Sequence, residues 1–352
     1  MIRVGLIGCG YIAHKHIETL TQLQDVTLKA ISDIHFNKME SIASLYKDFG
    51  GENRSITFFE NYKDLLADKD IDLVIVAVFS GLHAEITKQA ILYDKHVIVE
   101  KPLALSIQDA EEIIQLAQSR NRKILVCHQL RYRPLLQKVK QLMKQNYFGK
   151  IYLGVISLRL HRAKDYYHFS TWKGSWRKDG GMLVNQGIHL IDVLIWLLGD
   201  VESVYGEIAT KEQRKETEDI AAGIFSFKDG SKGMVEANTI TKPNNIGYYL
   251  AVFGERGTLT IGGKNFNEIH HCYIEGYPNI MEELNVLSKK LNEHQRMYTD
   301  FINAIHYDKE HLVNASEGKK ALEAIFALYQ SNKTDRPIFL PVESFSTSDM
   351  LL

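Results

Sequence analysis

The first thirteen residues constrain this chain more than any other stretch of it. Residues 2–7, Ile-Arg-Val-Gly-Leu-Ile, read as a short buried strand; Gly8-Cys9-Gly10 interrupts the run, and residues 11–23 then carry helical character. A strand that ends in a glycine turn and feeds directly into a helix belongs to few architectures. The unit recurs. A strand is predicted over 26–32 and is closed by Asp33. The apolar run 71–78 ends a third unit, followed by a helix over 82–93, a strand over 96–99, a helix over 106–119 and a strand over 123–127. Strands alternating with helices predict an α/β fold with a doubly wound parallel sheet.

In such sheets ligands collect at the carboxyl ends of the strands. Four features fall there: the Gly8–Gly10 turn, Asp33, Ser80-Gly81 and Glu100-Lys101-Pro102. The turn matches G-x-G-x-x-G/A, with Ala13 in the third position. The first glycine permits the tight turn, the second lets backbone approach a pyrophosphate, and the helix start offers free N–H groups to the phosphates. An acidic residue about 20 positions further on completes a dinucleotide-binding (Rossmann) fingerprint. Asp33 would accept hydrogen bonds from the adenosine ribose and repel a 2′-phosphate, which favours NAD over NADP; its alternative use is to cap the following helix. Tyr11, Ile12, Phe79, Ser80, His83, Glu100, Lys101 and Gln129 complete the residues expected against the cofactor. His83, which opens a helix, is read either as reaching the nicotinamide end or as a surface cap.

Two segments carry candidate chemistry. Lys101 stands at a strand end before Pro102, a residue that restricts the backbone and admits a cis peptide. A lysine held beside a cofactor can move a proton or polarise an alcohol oxygen, whereas a solvated lysine at a strand end does neither. The second segment runs from Asp179 to Asp192, Asp-Gly-Gly-Met-Leu-Val-Asn-Gln-Gly-Ile-His-Leu-Ile-Asp, and continues as an apolar helix to Leu198, with Gly199 as its C-cap. On a regular helix Asn185, His189 and Asp192 share one face. That stripe is read either as a site or as a buried network in which His189 bonds Asp192.

The formal charge of −1 argues against nucleic acid as a main partner. The three cysteines, Cys9, Cys127 and Cys272, form no C-x-x-C pair, and the remaining histidines lack carboxylates or cysteines at ligand spacing, so no metal site is predicted. The N-terminal apolar run is too short for a signal sequence or a membrane span, and a cytoplasmic protein is expected. Near Gly149 the pattern changes. Strand-like runs appear at 151–160, 201–209, 219–227, 232–240, 247–253 and 257–261, and helices at 292–305 and 315–331. Many strands with few helices predict a second α/β domain with a large open, mainly antiparallel sheet. The division expected is residues 1–125 for the dinucleotide domain and 126–352 for a substrate and oligomerisation domain. An uncovered sheet face suggests a homodimer or homotetramer.

Taken together, Gly8-Cys-Gly10-x-x-Ala13, Glu100-Lys101-Pro102, the Gly-Gly…Gly-x-His-x-x-Asp run ending at Asp192, Phe253-Gly254-x-x-Gly257-Thr258-Leu259 and Glu317-Gly318-x-x-Ala321-Leu322 resemble the Gfo/Idh/MocA family, the glucose–fructose oxidoreductase and inositol dehydrogenase group. The likeness covers essentially the whole chain. It implies a Rossmann domain plus an open-faced α/β domain, and it implies that Lys101 and His189 flank a reacting hydroxyl. Two positions depart from the family pattern: Asn185 stands where Asp is frequent, and Val78-Phe79 where Thr-Pro is frequent.

The implied activity is NAD(P)-dependent hydride transfer from a sugar hydroxyl. Residues 159–178 sharpen the substrate class. Arg159, Arg162, Lys164, Lys173, Arg177 and Lys178 against Asp165 give a net +5, interleaved with Tyr166, Tyr167, Phe169, Trp172 and Trp176. Cations suit phosphate or carboxylate, and aromatic faces suit a sugar or base. An anionic or nucleotide-linked sugar is therefore expected, bound by Lys101, Arg162, Trp172, Lys173, Asn185 and His189. The alternatives are a free polyol or sugar such as inositol or glucose, and a non-catalytic NAD-binding sensor.

Overall fold

The computed structural model describes residues 1–51, 55–168, 170–211 and 215–351. The chain divides into two units: Met1–Cys127 with His294–Lys319, and His128–Glu293 with Lys320–Leu352.

The first unit holds six strands, β1 (Ile2–Ile7), β2 (Val26–Ser32), β3 (Thr57–Phe59), β4 (Leu73–Val76), β5 (His96–Val99) and β6 (Ile124–Val126), alternating with helices α1 (Ala13–Thr21), α2 (Phe36–Asp48), α3 (Tyr62–Ala67), α4 (His83–Leu92) and α5 (Ile107–Ser119). All pairings are parallel, in the order β3-β2-β1-β4-β5-β6. The order reverses between β1 and β4, so their carboxyl ends diverge into a crevice open to a ligand. Leu73–Val76 and Val97–Val99 have essentially no exposed surface, as uninterrupted apolar strands covered on both faces must. Truncating Leu73, Ile75 or Ile98 to alanine removes about 2–5 kcal/mol.

The second unit contains α6 (Pro134–Lys144), β7 (Ile151–Arg159), α7 (Lys164–His168), α8 (Ile188–Leu198), β8 (Val201–Ala209), β9 (Ile220–Phe227), β10 (Lys232–Asn238), β11 (Gly247–Gly254), β12 (Gly257–Gly263), β13 (Glu268–Ile274) and α9 (Ile280–Ser288). Two long helices follow, α10 (Glu293–Tyr307) and α11 (Ala315–Thr334), and then the short β14 (Ile338–Phe339). The eight strands order β13-β12-β11-β7-β10-β9-β8-β14; only β7 with β10 is parallel. Helices cover one face, where a Cβ on Gly154 would meet Leu194 and one on Gly206 would meet Leu328. On the other face Tyr205, Ile224, Met234, Val155, Ala251, Thr260 and His271 stand in one register row across seven strands.

The returning segment His294–Lys319 packs with the first unit. Phe301 packs on His311, the Val126 N–H donates to the Val313 carbonyl, and Gly318 is held against Val126, where a Cβ would lie 2.5 Å from a valine methyl. An amphipathic helical pattern shows which face is buried and does not show which core buries it. Strands β3, β13 and β14 and helix α9 also escaped the sequence. β13 exposes His270 and His271, and its pairing to β12 rather than its pattern makes it a strand. Among the described residues no helix is long and apolar enough to cross a membrane.

Gly8 sits where the chain has no room for a side chain. Its φ is +97°, and a Cβ would lie 2.6 Å from the Ala77 carbonyl oxygen. Gly8→Ala is expected to cost about 1–3 kcal/mol from the backbone conformation, and more from the contact. Gly50→Ala, at φ +86° with nothing within 4 Å, isolates the conformational part. Urea unfolding of both variants checks it: equal losses would remove the steric contribution at Gly8.

Candidate active site

At the end of β1 the Gly8 N–H donates to the Ser32 carbonyl at 2.8 Å, which brings the glycine turn against the end of β2. Asp33 continues that tie. Its Oδ2 accepts the Cys9 N–H at 2.8 Å and its Oδ1 accepts the His35 N–H at 2.9 Å. The carboxylate therefore braces both the glycine turn and the turn into α2, so the ribose-binding and helix-entry readings are not exclusive. Beyond Gly8 the surface opens. A Cβ on Gly10 would meet nothing within 4 Å, Tyr11 is 94 % exposed, and α1 begins after Ile12 with neither a side-chain cap nor an acidic residue in its first turn. The fold leaves room over Gly10, and the uncapped helix start presents N–H groups and a positive dipole end, which fits a pyrophosphate. Ala13 is fully buried, as the third small residue of the fingerprint should be.

The ends of β4 and β5 carry the next group. Phe79 is half-buried in extended backbone, and Ser80 begins a single 3₁₀ turn before α4. His83 is 1 % exposed, with Nδ1 2.7 Å from the Pro102 carbonyl and Nε2 3.0 Å from the Val78 carbonyl. This ring is not a surface cap; it lies between the end of β4 and the Lys101–Pro102 peptide, which is cis, and as a neutral imidazole it donates to one of the two carbonyls. Burial holds its pKa below the ordinary histidine range against those two contacts.

Lys101 projects from a half-buried position after Glu100. The Glu100 carboxylate lies 3.1 Å from His16 Nε2, a contact not aligned as a regular hydrogen bond, and its other oxygen accepts the Lys101 N–H at 3.3 Å. Burial opposes ionisation of Glu100, but His16, the Lys101 charge and His83 outweigh it and hold the carboxyl down to about 2. His16, Glu100 and Cys127 lie within 4.8 Å of one another, a cluster the sequence did not reveal because its members come from three distant elements. Burial and the Glu100 charge push the Cys127 thiol well above its usual range. The Cys9 thiol is pushed up to about 12 by burial and then by Asp33, and Cys272 to about 11 by burial, so neither is an activated nucleophile.

In the second unit Met182 leads into a π-helical turn, Leu183–Gly187, that runs on into α8. Such turns recur at functional sites because they re-aim side chains within a helix. Here the polar stripe predicted for Asn185, His189 and Asp192 is divided. Asn185 Nδ2 donates to Asp179, and Asp192 is paired with Arg131 through contacts of 2.7–3.1 Å, both side chains 1 % exposed. The network reading in which Asp192 serves His189 is replaced by this buried ion pair. His189 is half-buried one turn before Asp192. Gln129 starts the 3₁₀ turn that carries Arg131.

The basic, aromatic segment is partly organised. Lys173 Nζ lies 3.8 Å from the centre of the Tyr166 ring and the Arg162 guanidinium 5.0 Å from it; Trp172 is 5.8 Å from the same ammonium. Burial lowers the Lys173 pKa, Asp179 raises it and Arg162 lowers it again. Gln186 donates to the Tyr166 hydroxyl at 3.2 Å, which links this cluster to the π turn. Phe169 and the side chain of Lys164 lie outside the described residues. Sequence reasoning missed Glu218. It is fully buried; Oε1 accepts the Leu183 N–H at 2.8 Å and the Tyr329 hydroxyl at 2.6 Å, while Oε2 has no partner among the described residues. Gly181 makes room for it, since a Cβ there would lie 2.4 Å from the Tyr329 hydroxyl and 2.6 Å from Glu218 Oε2. The signal in the sequence was Glu218-Asp219 entering an apolar strand.

A Rossmann sheet whose switch point carries a glycine turn, joined to an open α/β sheet, defines a two-domain nicotinamide-type oxidoreductase. The comparisons agree. The N-terminal NAD-binding Rossmann-fold model of the Gfo/Idh/MocA oxidoreductase family matches residues 2–128, and its C-terminal α/β model matches residues 140–340. The chain belongs to that family and carries its NAD-binding domain. It is similar to the WlbA dehydrogenase from Chromobacterium violaceum, solved with NADH and UDP-GlcNAcA, at 30 % identity and TM-score 0.90 over 97 % of this chain and 96 % of that one. The Bordetella pertussis WlbA, with the same two ligands, gives 30 % identity and TM-score 0.89 over 97 % and 98 %. Glucose-6-phosphate 3-dehydrogenase from Bacillus subtilis is 29 % identical over 73 % of each chain.

Burial, only partly offset by the Tyr329 and Leu183 hydrogen bonds, raises the Glu218 carboxyl to about 7. Because the folded pKa exceeds the unfolded one, the stabilisation is complete below the unfolded carboxyl range and is lost as pH rises through about 7, a contribution of about 3 kcal/mol. Glu218→Gln is expected to flatten that loss. Urea unfolding of parent and variant at about pH 5 and about pH 8 checks it; an unchanged difference between the two pH values would exclude Glu218 as its source.

Proposed function

We propose that this oxidoreductase oxidises a ring hydroxyl of an anionic, nucleotide-linked sugar with NAD as acceptor. The observation that carries the substrate class is the pair of cations, Arg162 and Lys173, set on the Tyr166 ring, which offers charge for a phosphate beside an aromatic face. The WlbA structures, each with NADH and a UDP-sugar, support the reading, as does glucose 6-phosphate, another anionic sugar, in the name of a relative. A free polyol has a narrower basis, the likeness to myo-inositol 2-dehydrogenase of Thermotoga maritima at 25 % identity. A non-catalytic sensor is disfavoured by the presence of both Lys101 and His189.

A bound NAD would supply the hydride acceptor for the carbinol carbon, with Gly10 and the start of α1 holding its pyrophosphate. The protein's part is to hold the hydroxyl and receive its proton, a role assigned here to Lys101 Nζ and the His189 ring. Asp33 is assigned the choice of NAD over NADP: its carboxylate is at hand for the ribose hydroxyls and would repel a 2′-phosphate. Fluorescence titration with both reduced cofactors tests this, and tighter binding of NADPH would overturn it.

Steady-state assays with UDP-N-acetylglucosamine, its uronate and glucose 6-phosphate against myo-inositol and glucose test the substrate class. Turnover of the anionic substrates should weaken with salt, and kcat/KM should fall about tenfold or more in Arg162→Ala and Lys173→Ala. Lys101→Ala should lower kcat by about 10²–10⁴-fold. Efficient oxidation of a neutral sugar, indifferent to salt and to both substitutions, would defeat the anionic reading.

We also infer that the open sheet face pairs with a second copy of the chain, as a dimer or as half of a tetramer. Ile224 and Met234 are 51 % and 50 % exposed, side by side in the register row, and Phe253 and Tyr273 extend the apolar surface. Light scattering at low micromolar concentration should show an oligomer that Met234→Glu with Ile224→Lys converts to monomer; a monomeric parent would contradict this.

A further inference from the structure

We infer that His16, Glu100 and Tyr298 form a buried relay that positions Lys101. The inference rests on the proton-transfer role proposed for Lys101. His16 and Tyr298 have no exposed surface and Glu100 is 8 % exposed. They come from α1, from the end of β5 and from the returning helix α10, elements that need share no polar contact for the sheet to form.

The chemistry of the three groups sets the direction of the chain. His16 Nδ1 lies 2.6 Å from the Tyr298 hydroxyl, and Nε2 lies 3.1 Å from Glu100 Oε1. Burial first, and also the nearby Glu100 carboxylate, push the Tyr298 hydroxyl well above its usual range, so it stays a donor. The phenol then donates to Nδ1, Nε2–H faces the carboxylate, and Glu100 Oε2 accepts the Lys101 N–H at 3.3 Å. An ionised carboxylate in the interior is costly unless it is paired. Here the pairing reaches the backbone of the residue next to it, and the groups that face Glu100 are His16, Lys101, His83, Cys127 and Tyr298. His83 grips the following Pro102 carbonyl. The Lys101 backbone is thereby held on both sides, by Glu100 at its N–H and by His83 one residue later. Because His16 lies on α1, just beyond the glycine turn, the helix that receives the pyrophosphate and the peptide that bears the lysine share one buried brace.

The relay acts through Lys101 and not through cofactor affinity, and a double-mutant cycle separates the two. His16→Phe and Glu100→Gln in the full chain should each lower kcat by about 10–100-fold, the scale of a displaced reacting group, with the NADH dissociation constant within about threefold of the parent. His16→Gln, whose amide can both donate to Glu100 and accept from Tyr298, should recover most of the loss, and Tyr298→Phe should show a smaller loss. In a Lys101→Ala background His16→Phe should have no further effect on residual turnover. A full additional loss in that background, or a loss of NADH binding equal to the loss of kcat, would overturn the relay. If His16→Phe does not fold, the His16→Gln and Tyr298→Phe arms of the cycle decide. A near-parental rate for Lys101→Ala alone would instead overturn the role given to Lys101, a distinct outcome.

Discussion

The close approach of three backbones at Gly8 is the constraint on which the first unit depends. β1 must end where its N–H can reach Ser32 of β2 and its Cα can lie against Ala77 beyond β4, and only a residue without a Cβ at φ +97° allows both. That contact lies at the topological switch point. It sets the start of α1, leaves open space over Gly10 and puts Asp33 within reach of the turn it braces. A single added methyl group would act on sheet and site together.

Both units then bury charge, and in each the charge holds a backbone group or a side chain in place. Arg131 and Asp192 pair with essentially no exposure, Lys215 and Asp219 pair at 2.6 Å, and Glu100 is held by His16. Buried pairs of this kind add little net stability over well-packed apolar residues, while loss of one partner is strongly destabilising. Their value is geometric. Asp192 holds Arg131 on the turn that begins at Gln129; Asp179 holds Asn185 on the π turn; Glu218 holds the N–H of Leu183. Asp179 also accepts the Gly174 N–H at 2.8 Å, so the loop with Lys173 and the helix with His189 share one carboxylate.

Asn185 shows how a departure from a family pattern is absorbed. With asparagine in place of the frequent aspartate, a carboxylate is still present one hydrogen bond away, in Asp179. His83 shows the reverse. Its place after a turn made it a candidate for the cofactor, yet both ring nitrogens meet carbonyls of the protein itself. Spacing locates a side chain along the chain, and partners for its polar atoms depend on what other elements bring near.

Much of the architecture was legible because it follows from local rules. Periodicity and the glycine turn determined a parallel sheet with its ligand side at Gly8, Asp33 and Glu100-Lys101, and the later run of strands determined an open second sheet, since these patterns act within a few residues of one another. The family followed from motifs spread over the whole length. Only the tertiary structure decided which core takes residues 294–319, that His16 and Tyr298 meet Glu100, that Arg131 rather than His189 takes Asp192, and that a π turn re-aims Asn185. Each of these joins residues far apart in sequence or hangs on one extra residue in a helical turn. Their energies arise on burial, when desolvation makes an unpartnered polar atom costly, and a linear pattern holds no record of which partner each will find.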